Sequence, residues 1–271
     1  MGINELTLES WNEIHSHGRN DWLYRGQRSA GWGMKTSLER CFEREAVDGA
    51  ERMALERELL REFRRAYHNY AVHIPERGSV IEWLSLMQHH GAPTRLLDFT
   101  FSIYVAAYFA LEAASGDCAV WAVNGDWVAE RSVSAMTLAG KQGAVKLQAR
   151  TGEEHETVSF GALFEPPFVK SALLLSPFRL DERLRIQKGT FLIPGDVSAS
   201  FMDNLCALPG HDDAGNLLKI VVPFRLRKEA LERLHYMNIS STSLFPGLDG
   251  YARSLGIYHP AFRRGRWRER S

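Results

Sequence analysis

The run Thr94-Arg95-Leu96-Leu97-Asp98-Phe99-Thr100 constrains this chain more than any other stretch. Its apolar centre is short and reads as a strand. Directly behind it, Ile103, Ala106, Ala107, Ala110 and Leu111 recur at helical spacing. A strand that ends in hydroxyl and carboxylate groups at the mouth of a buried helix is a place where α/β and α+β proteins put ligand chemistry. Thr100 or Ser102 fits the N-cap of that helix. Capping does not account for Arg95 and Asp98 inside an apolar run, and that pair reads as structural.

With 271 residues, 45% of them hydrophobic, the chain can bury one large core as readily as two small ones. Thirty-three basic residues balance thirty-three acidic ones, so no global field recruits nucleic acid or an acidic membrane. Cys41, Cys118 and Cys206 are odd in number and far apart, which suits buried thiols in a reducing compartment. The first residues lack the basic-then-apolar pattern of a secretion signal, and no apolar run approaches a membrane span. The expectation is a soluble cytoplasmic protein that does not engage a membrane.

Along the chain, Leu8 to His17 reads as a short helix and residues 21–27 as a strand that breaks at Gly26. A long helix is expected from Asp48 to Tyr70, with an apolar stripe of Met53, Leu59, Phe63, Ala66 and Tyr70. The spacings Glu58 to Arg61 and Glu62 to Arg65 mark its solvated face. A second helix, Val80 to His89, leads into the Gly91-Ala92-Pro93 turn, and 118–123 is a buried strand. Residues 124–160 turn polar and aperiodic, as in a surface insertion or the wall of a cleft. Strands at 185–195 and 217–223, a helix from Arg225 to Tyr236 and a turn-helix after Ser240 complete the fold over 161–262. Residues 263–271 are a basic tail, which suits either solvation or, with Trp267, contact with RNA or DNA. Without repeats or a linker, 1–271 reads as a single domain.

Several chemistries are absent. There is no phosphate-cradling loop ending in Gly-Lys-Ser/Thr, and the glycines at 26, 31 and 33 lack dinucleotide-fold spacing. No Gly-x-Ser-x-Gly elbow exists. His89-His90 and His15-x-His17 do not set two ligands on one helix face, so no metal site is expected. Arg25, just after Trp22, Leu23 and Tyr24, has the placement for a bidentate clamp on phosphate or carboxylate, with Gly26 letting backbone approach the ligand. It equally suits an internal pair with Asp98. His89 would sit by the same cleft as an acid, a base or a donor, or be satisfied by a backbone carbonyl at its helix end.

Residues 23–40, LYRGQRSAGWGMKTSLER, and the later LMQHHGAPTRLLDFTFSIYVAAYFAL together resemble the FRG domain family, whose aromatic-Arg-Gly motif is here Tyr24-Arg25-Gly26. The likeness covers an FRG-like core of roughly 20–125, and RIQKGTFLIPG and LFPGLDGYARSL extend it toward the C-terminus.

A more distant likeness is to arginine-type ADP-ribosyltransferases, in which an aromatic-Arg-Gly strand supplies an arginine that grips NAD. There a later strand ends in Ser-x-Ser, with Ala-x-x-Phe five residues on. Here Asp98-Phe99-Thr100 is followed at that spacing by Ala106-Ala107-Tyr108-Phe109. The transferase strand bearing the catalytic glutamate would match Gln187-Lys188-Gly189, so Gly189 stands where that carboxylate is expected.

What this second resemblance implies is an α+β domain with an ADP-ribosyltransferase-like split β-sheet flanked by helices, and a cleft for NAD or a related nucleotide. Arg25, with Tyr24 and Gly26, would hold the diphosphate or a ribose, and Thr100 a ribose or the nicotinamide side. Gln187 would bond a ribose hydroxyl, with His89 nearby. Asp98 would supply the missing charge for cleavage or transfer at the N-glycosidic bond, with Glu82 and Asp249 as substitutes. The acceptor, protein or nucleic acid, is left open. The alternative is a non-catalytic module that senses a nucleotide or nucleic-acid end and acts through a partner. A third reading places function in residues 124–160 or on a partner surface.

Overall fold

The structure is a computed structural model that describes residues 2–70, 74–76, 78–141, 161, 163–175 and 182–258. Seven strands form one mixed sheet: β1 (Asn4–Thr7), β2 (Trp22–Gln27), β3 (Leu97–Thr100), β4 (Cys118–Asn124), β5 (Ala172–Leu175), β6 (Gly189–Pro194) and β7 (Leu217–Val222). Their spatial order is β1-β7-β4-β2-β3-β6-β5. β1 runs parallel to β7, and every other neighbouring pair is antiparallel. The helices flanking it include α1 (Ser37–Arg44), α2 (Gly49–Tyr67), α3 (Val80–His89), α4 (Ile103–Leu111) and α5 (Gly125–Leu138). Further along the chain follow α6 (Glu182–Ile186), α7 (Phe201–Cys206), α8 (Arg227–Tyr236), α9 (Ser241–Leu244) and α10 (Leu248–Tyr258).

The sheet is one sheet, but its two halves barely touch. β2 and β4 pair from Trp22 opposite Asn124 to Gln27 opposite Ala119, and β3 pairs with β6 along its whole length. Between β2 and β3 the register holds a single pair, Tyr24 opposite Thr100. The strands diverge from there, and Gly26 does not reach the Asp98 it would oppose.

One face of the sheet is covered in two separate patches. Over β2, β4 and β7 lie α4 and α8, with Ala106, Ala107, Ala110, Leu231 and Leu234 buried against Tyr24, Val120 and Ile220. Over β5 and β6 lie α2 and α3, with Leu60, Trp83, Leu84 and Met87 against Leu173, Phe191 and Ile193. The opposite face packs Leu23, Trp121, Phe99 and Leu192 under α5 and α7. A cleft is left between the two patches, above the seam of β2 and β3.

The α3 boundaries agree with the apolar pattern, and α2 is the long helix, its Arg61–Glu58 and Arg65–Glu62 pairs exposed at 2.9 and 3.0 Å. Several expectations are corrected. Strand β2 runs through Gly26 to Gln27, because the glycine is where α4 crosses it. Tyr70 lies beyond the end of α2 and is exposed, and Leu60 is buried in the stripe instead. The start of 124–160 is no insertion: Asn124 caps α5 through Oδ1, and Trp127, Val128, Ser132 and Met136 are buried beneath it. Residues 142–160 and the tail 263–271, with Trp267, lie outside the described residues. Cys118 is buried, its thiol pushed up to about 12 chiefly by burial, whereas Cys41 and Cys206 are only partly covered.

Candidate functional site

The cleft is a cavity of about 340 Å³, the size range in which small-molecule sites begin. Its walls come from four distant parts of the chain: Arg25 and Gly26 on β2, Gln88 and His89 at the end of α3, Asp98 and Thr100 on β3, and Arg183 to Gly189 around α6 and β6. Tyr24, Arg25, Gly26, His89, Asp98, Thr100 and Gln187, singled out in the sequence, all line this one cavity. Several of them also make bonds that hold the fold.

Arg25 sits where β2 leaves β3. Its Nη1 donates to the Asp98 carbonyl at 2.7 Å, supplying the partner that β2 backbone no longer offers, and lies 3.8 Å from Asp98 Oδ2. Its Nε is buried without a hydrogen bond among the described residues. Burial pulls the guanidinium below its usual value and Asp98 opposes that shift. The group stays charged at any working pH. Both readings of Arg25 hold together: it knits the seam and presents a cation to the cleft.

Asp98 is the carboxylate facing that cation, with its side chain 62% exposed. Its Oδ1 accepts from Gln88 Nε2 at 2.8 Å. His89 is exposed at the rim, its ring edge-on to His90 at 5.0 Å.

Thr100 is a tie rather than an open hydroxyl. It donates to the Gln187 carbonyl at 2.7 Å and accepts from the Ser102 N–H at 3.0 Å, while Ser102 is the true N-cap of α4. Gln187 is not on a strand: it closes α6 in a turn in which Lys188 has φ 48°, and β6 starts at Gly189. Its amide donates to the Leu244 carbonyl at 3.0 Å. Tyr24 is buried, with its hydroxyl donating to the His17 carbonyl at 2.9 Å and accepting from the Arg19 N–H at 2.8 Å.

Two glycines carry opposite meanings. A Cβ on Gly26 would lie 2.0 Å from the Ala106 carbonyl oxygen and 2.6 Å from the Ala110 nitrogen, so this glycine serves helix docking rather than ligand approach. Gly189 is opposite Thr100 on the cleft side, and its absent Cβ would lie 2.3 Å from Leu184 Cδ1. Leu184 fills the space a carboxylate there would need.

Arg95, read with Asp98 as structural, points away from the cleft. It is fully buried and bonded to Glu56, with Nε to Oε1 at 2.7 Å. Glu82 does not line the cleft, and the side chain of Asp249 lies outside the described residues. The sequence reading missed Gln88 and Arg183 as wall residues. Gln88 was legible within the quoted QHHGAP stretch. Arg183, exposed on a five-residue helix with its guanidinium 4.7 Å over the Phe245 ring, had no periodic signal.

Among the described residues no group of three or more metal-ligating side chains converges, and no helix is long and apolar enough to cross a membrane. Residues 20–117 match the family model of the FRG domain. No curated protein and no solved structure matches the chain.

Proposed function

We propose that this chain, which carries an FRG domain over residues 20–117, is a nucleotide-binding module whose cleft takes NAD or a related nucleotide without cleaving it. Arg25 supplies the cation for a phosphate, and a guanidinium suits that geometry better than an ammonium would. Asp98 and Gln187 offer oxygen atoms for sugar hydroxyls, and Phe109 and Phe191 line the cavity with apolar surface for a ring. The observation that carries the reading is the cross-strand row Tyr24, Thr100 and Gly189. Flanking that row, Arg25 and Asp98 line the cleft as a cation and a carboxylate, while Gly189, its side-chain space taken by Leu184, brings no carboxylate to the position at which the distant transferase likeness has its glutamate.

Glycosidic cleavage needs negative charge held in place beside an oxocarbenium-like centre, in a site that excludes water. Asp98 is the carboxylate near Arg25, and its proximity favours cleavage as the second reading. Its exposure weakens that reading, because solvent screens a charge that water already surrounds.

The test is a calorimetric and thermal titration with NAD and ADP-ribose. A ligand at a hundred times its Kd adds about 2.7 kcal/mol to the folded state, a rise of roughly 5 °C or more for a chain this long. Arg25→Ala should remove the rise and remain folded. A midpoint unmoved by millimolar nucleotide overturns the binding reading. Nicotinamide release by wild type, lost in Asp98→Asn, would replace it with the transferase or glycohydrolase reading.

A further inference from the structure

A hydrogen-bond chain reaches the cleft wall from behind, running from buried Thr94 through half-buried Gln88 to exposed Asp98. Thr94 is fully buried at the entry to β3, where its Oγ1 accepts from the Leu96 N–H at 3.2 Å. Its hydroxyl proton goes to the acceptor within reach, Gln88 Oε1. That fixes the amide. With Oε1 held by Thr94, Gln88 Nε2 faces Asp98 Oδ1 at 2.8 Å. The reversed amide would set Oε1 against a carboxylate oxygen, acceptor to acceptor, and is disfavoured. Asp98 Oδ1 is thereby committed. Oδ2 lies 3.8 Å from Arg25 Nη1, beyond hydrogen-bond length, and keeps its acceptor capacity beside the cation.

We propose that Thr94 and Gln88 are positioning residues that aim Asp98 Oδ2 into the cleft as the acceptor for a ligand hydroxyl. The ligand class is then narrowed to anions that carry a free sugar hydroxyl close to a phosphate, ribonucleotides over their deoxy counterparts. The narrowing rests on the nucleotide reading of the cleft, whereas the relay itself does not. A hydrogen bond to a charged acceptor is worth roughly tenfold or more in affinity.

Two measurements on the full chain separate these layers. In the ligand-free protein, the Gln88 side-chain amide protons, followed by nitrogen-15 NMR, should exchange slowly. They should become solvent-like in Thr94→Val and stay protected in Thr94→Ser. Amide protons that exchange freely in wild type, or that ignore Thr94→Val, overturn the relay. In the second measurement, ADP-ribose and analogues lacking one ribose hydroxyl at a time are titrated by calorimetry. At least one analogue should bind roughly tenfold more weakly to wild type, and that ratio should collapse in Gln88→Leu. Gln88→Leu also stands in should Thr94→Val fail to fold. A ratio unchanged in Gln88→Leu, or a wild type indifferent to every hydroxyl, overturns the hydroxyl-reading role. A wild type that binds no nucleotide while its Gln88 protons stay protected overturns the nucleotide reading and the selectivity, and leaves the relay standing.

Discussion

Gly26 shows how a motif residue can be fixed by packing while its neighbour faces a ligand. Any side chain at 26 meets the backbone of α4, which has no rotamer with which to yield. Gly26→Ala should therefore cost at least about 2 kcal/mol in urea denaturation, toward the upper part of the overpacking range. A loss below half of that would mean α4 slides easily on β2. Glu39 makes a second residue-level case. It is 7% exposed, and its Oε2 accepts from the Phe201 N–H at 3.0 Å. Burial, with Glu43 adding, raises its carboxyl against the opposing Phe201 bond and Lys35. A raised folded-state value means that its stabilising contribution is complete below the unfolded value of 4.5 and is lost as pH rises through the folded one. Glu39→Gln keeps an acceptor for Phe201 and removes the charge. Its stability should match wild type at about pH 4 and exceed it at about pH 8. Equal offsets at both values would show that the Glu39 charge is not the cause.

At the scale of elements, the cleft depends on how β3 hands over to α4. Ser102 caps α4 through the Val105 N–H, and Ser102→Ala should cost about 1 kcal/mol, as cap losses do. Thr100 bonds in both directions, to the Gln187 carbonyl and from the Ser102 N–H. Thr100→Val strands both groups, and should cost more than Ser102→Ala, about 1–3 kcal/mol, with Thr100→Ser restoring most of it. Because the turn it ties down carries Gln187 to the cleft, Thr100→Val should also weaken nucleotide binding. If it proves milder than the cap loss, the tie is incidental. These elements were unequally legible. Residues 80–89 are apolar enough to fix α3 from the sequence, and the seven-residue run announced β3 and α4. Asn4–Thr7 and Ala172–Leu175 are four-residue edge strands, too short for a period to register. Gln187 read as strand because RIQKGTFLIP is continuous in pattern, and only the left-handed Lys188 reveals the turn. The site's polar residues could be found by motif, since Arg25, Asp98 and Gln187 interrupt apolar runs. Their division of labour could not, because hydroxyl and amide partners such as His17, Leu244 and Ser102 are set by tertiary contact alone.

On the scale of the molecule, a sheet joined at one residue pair needs something else to hold its halves, and Arg95 holds the β3 side. From just ahead of β3 it reaches Glu56 on α2, the Leu163 carbonyl at 3.2 Å and the Pro194 carbonyl at the end of β6 at 3.4 Å. It also stacks 4.6 Å over Phe164. Arg25, 73 residues from Asp98 in sequence but beside it in space, makes the contrasting case: a partly exposed pair at 3.8 Å, of a kind worth about 0–1 kcal/mol. Arg25→Ala should therefore alter the cleft and, through the lost bond to the Asp98 carbonyl, cost only about 1–2 kcal/mol, leaving the chain folded. Arg95 should do the reverse. Glu56→Ala leaves a buried guanidinium uncompensated and should cost about 3–5 kcal/mol, a large part of a domain's total of about 5–15. The double replacement Arg95→Met with Glu56→Leu removes both charges at similar volume and should recover most of that loss, since a buried ion pair costs heavily to desolvate. Urea midpoints for the two variants at unchanged slope give the comparison. Should Glu56→Ala cost under about 1 kcal/mol, Arg95 must find water or another anion, and the β3 half would owe its place to the apolar cluster around Trp83 and Phe191 alone. Should the double variant instead be as unstable as Glu56→Ala, the two carbonyl bonds of Arg95 matter more than its charge, and the hub works by hydrogen bonding across α2, β3 and β6.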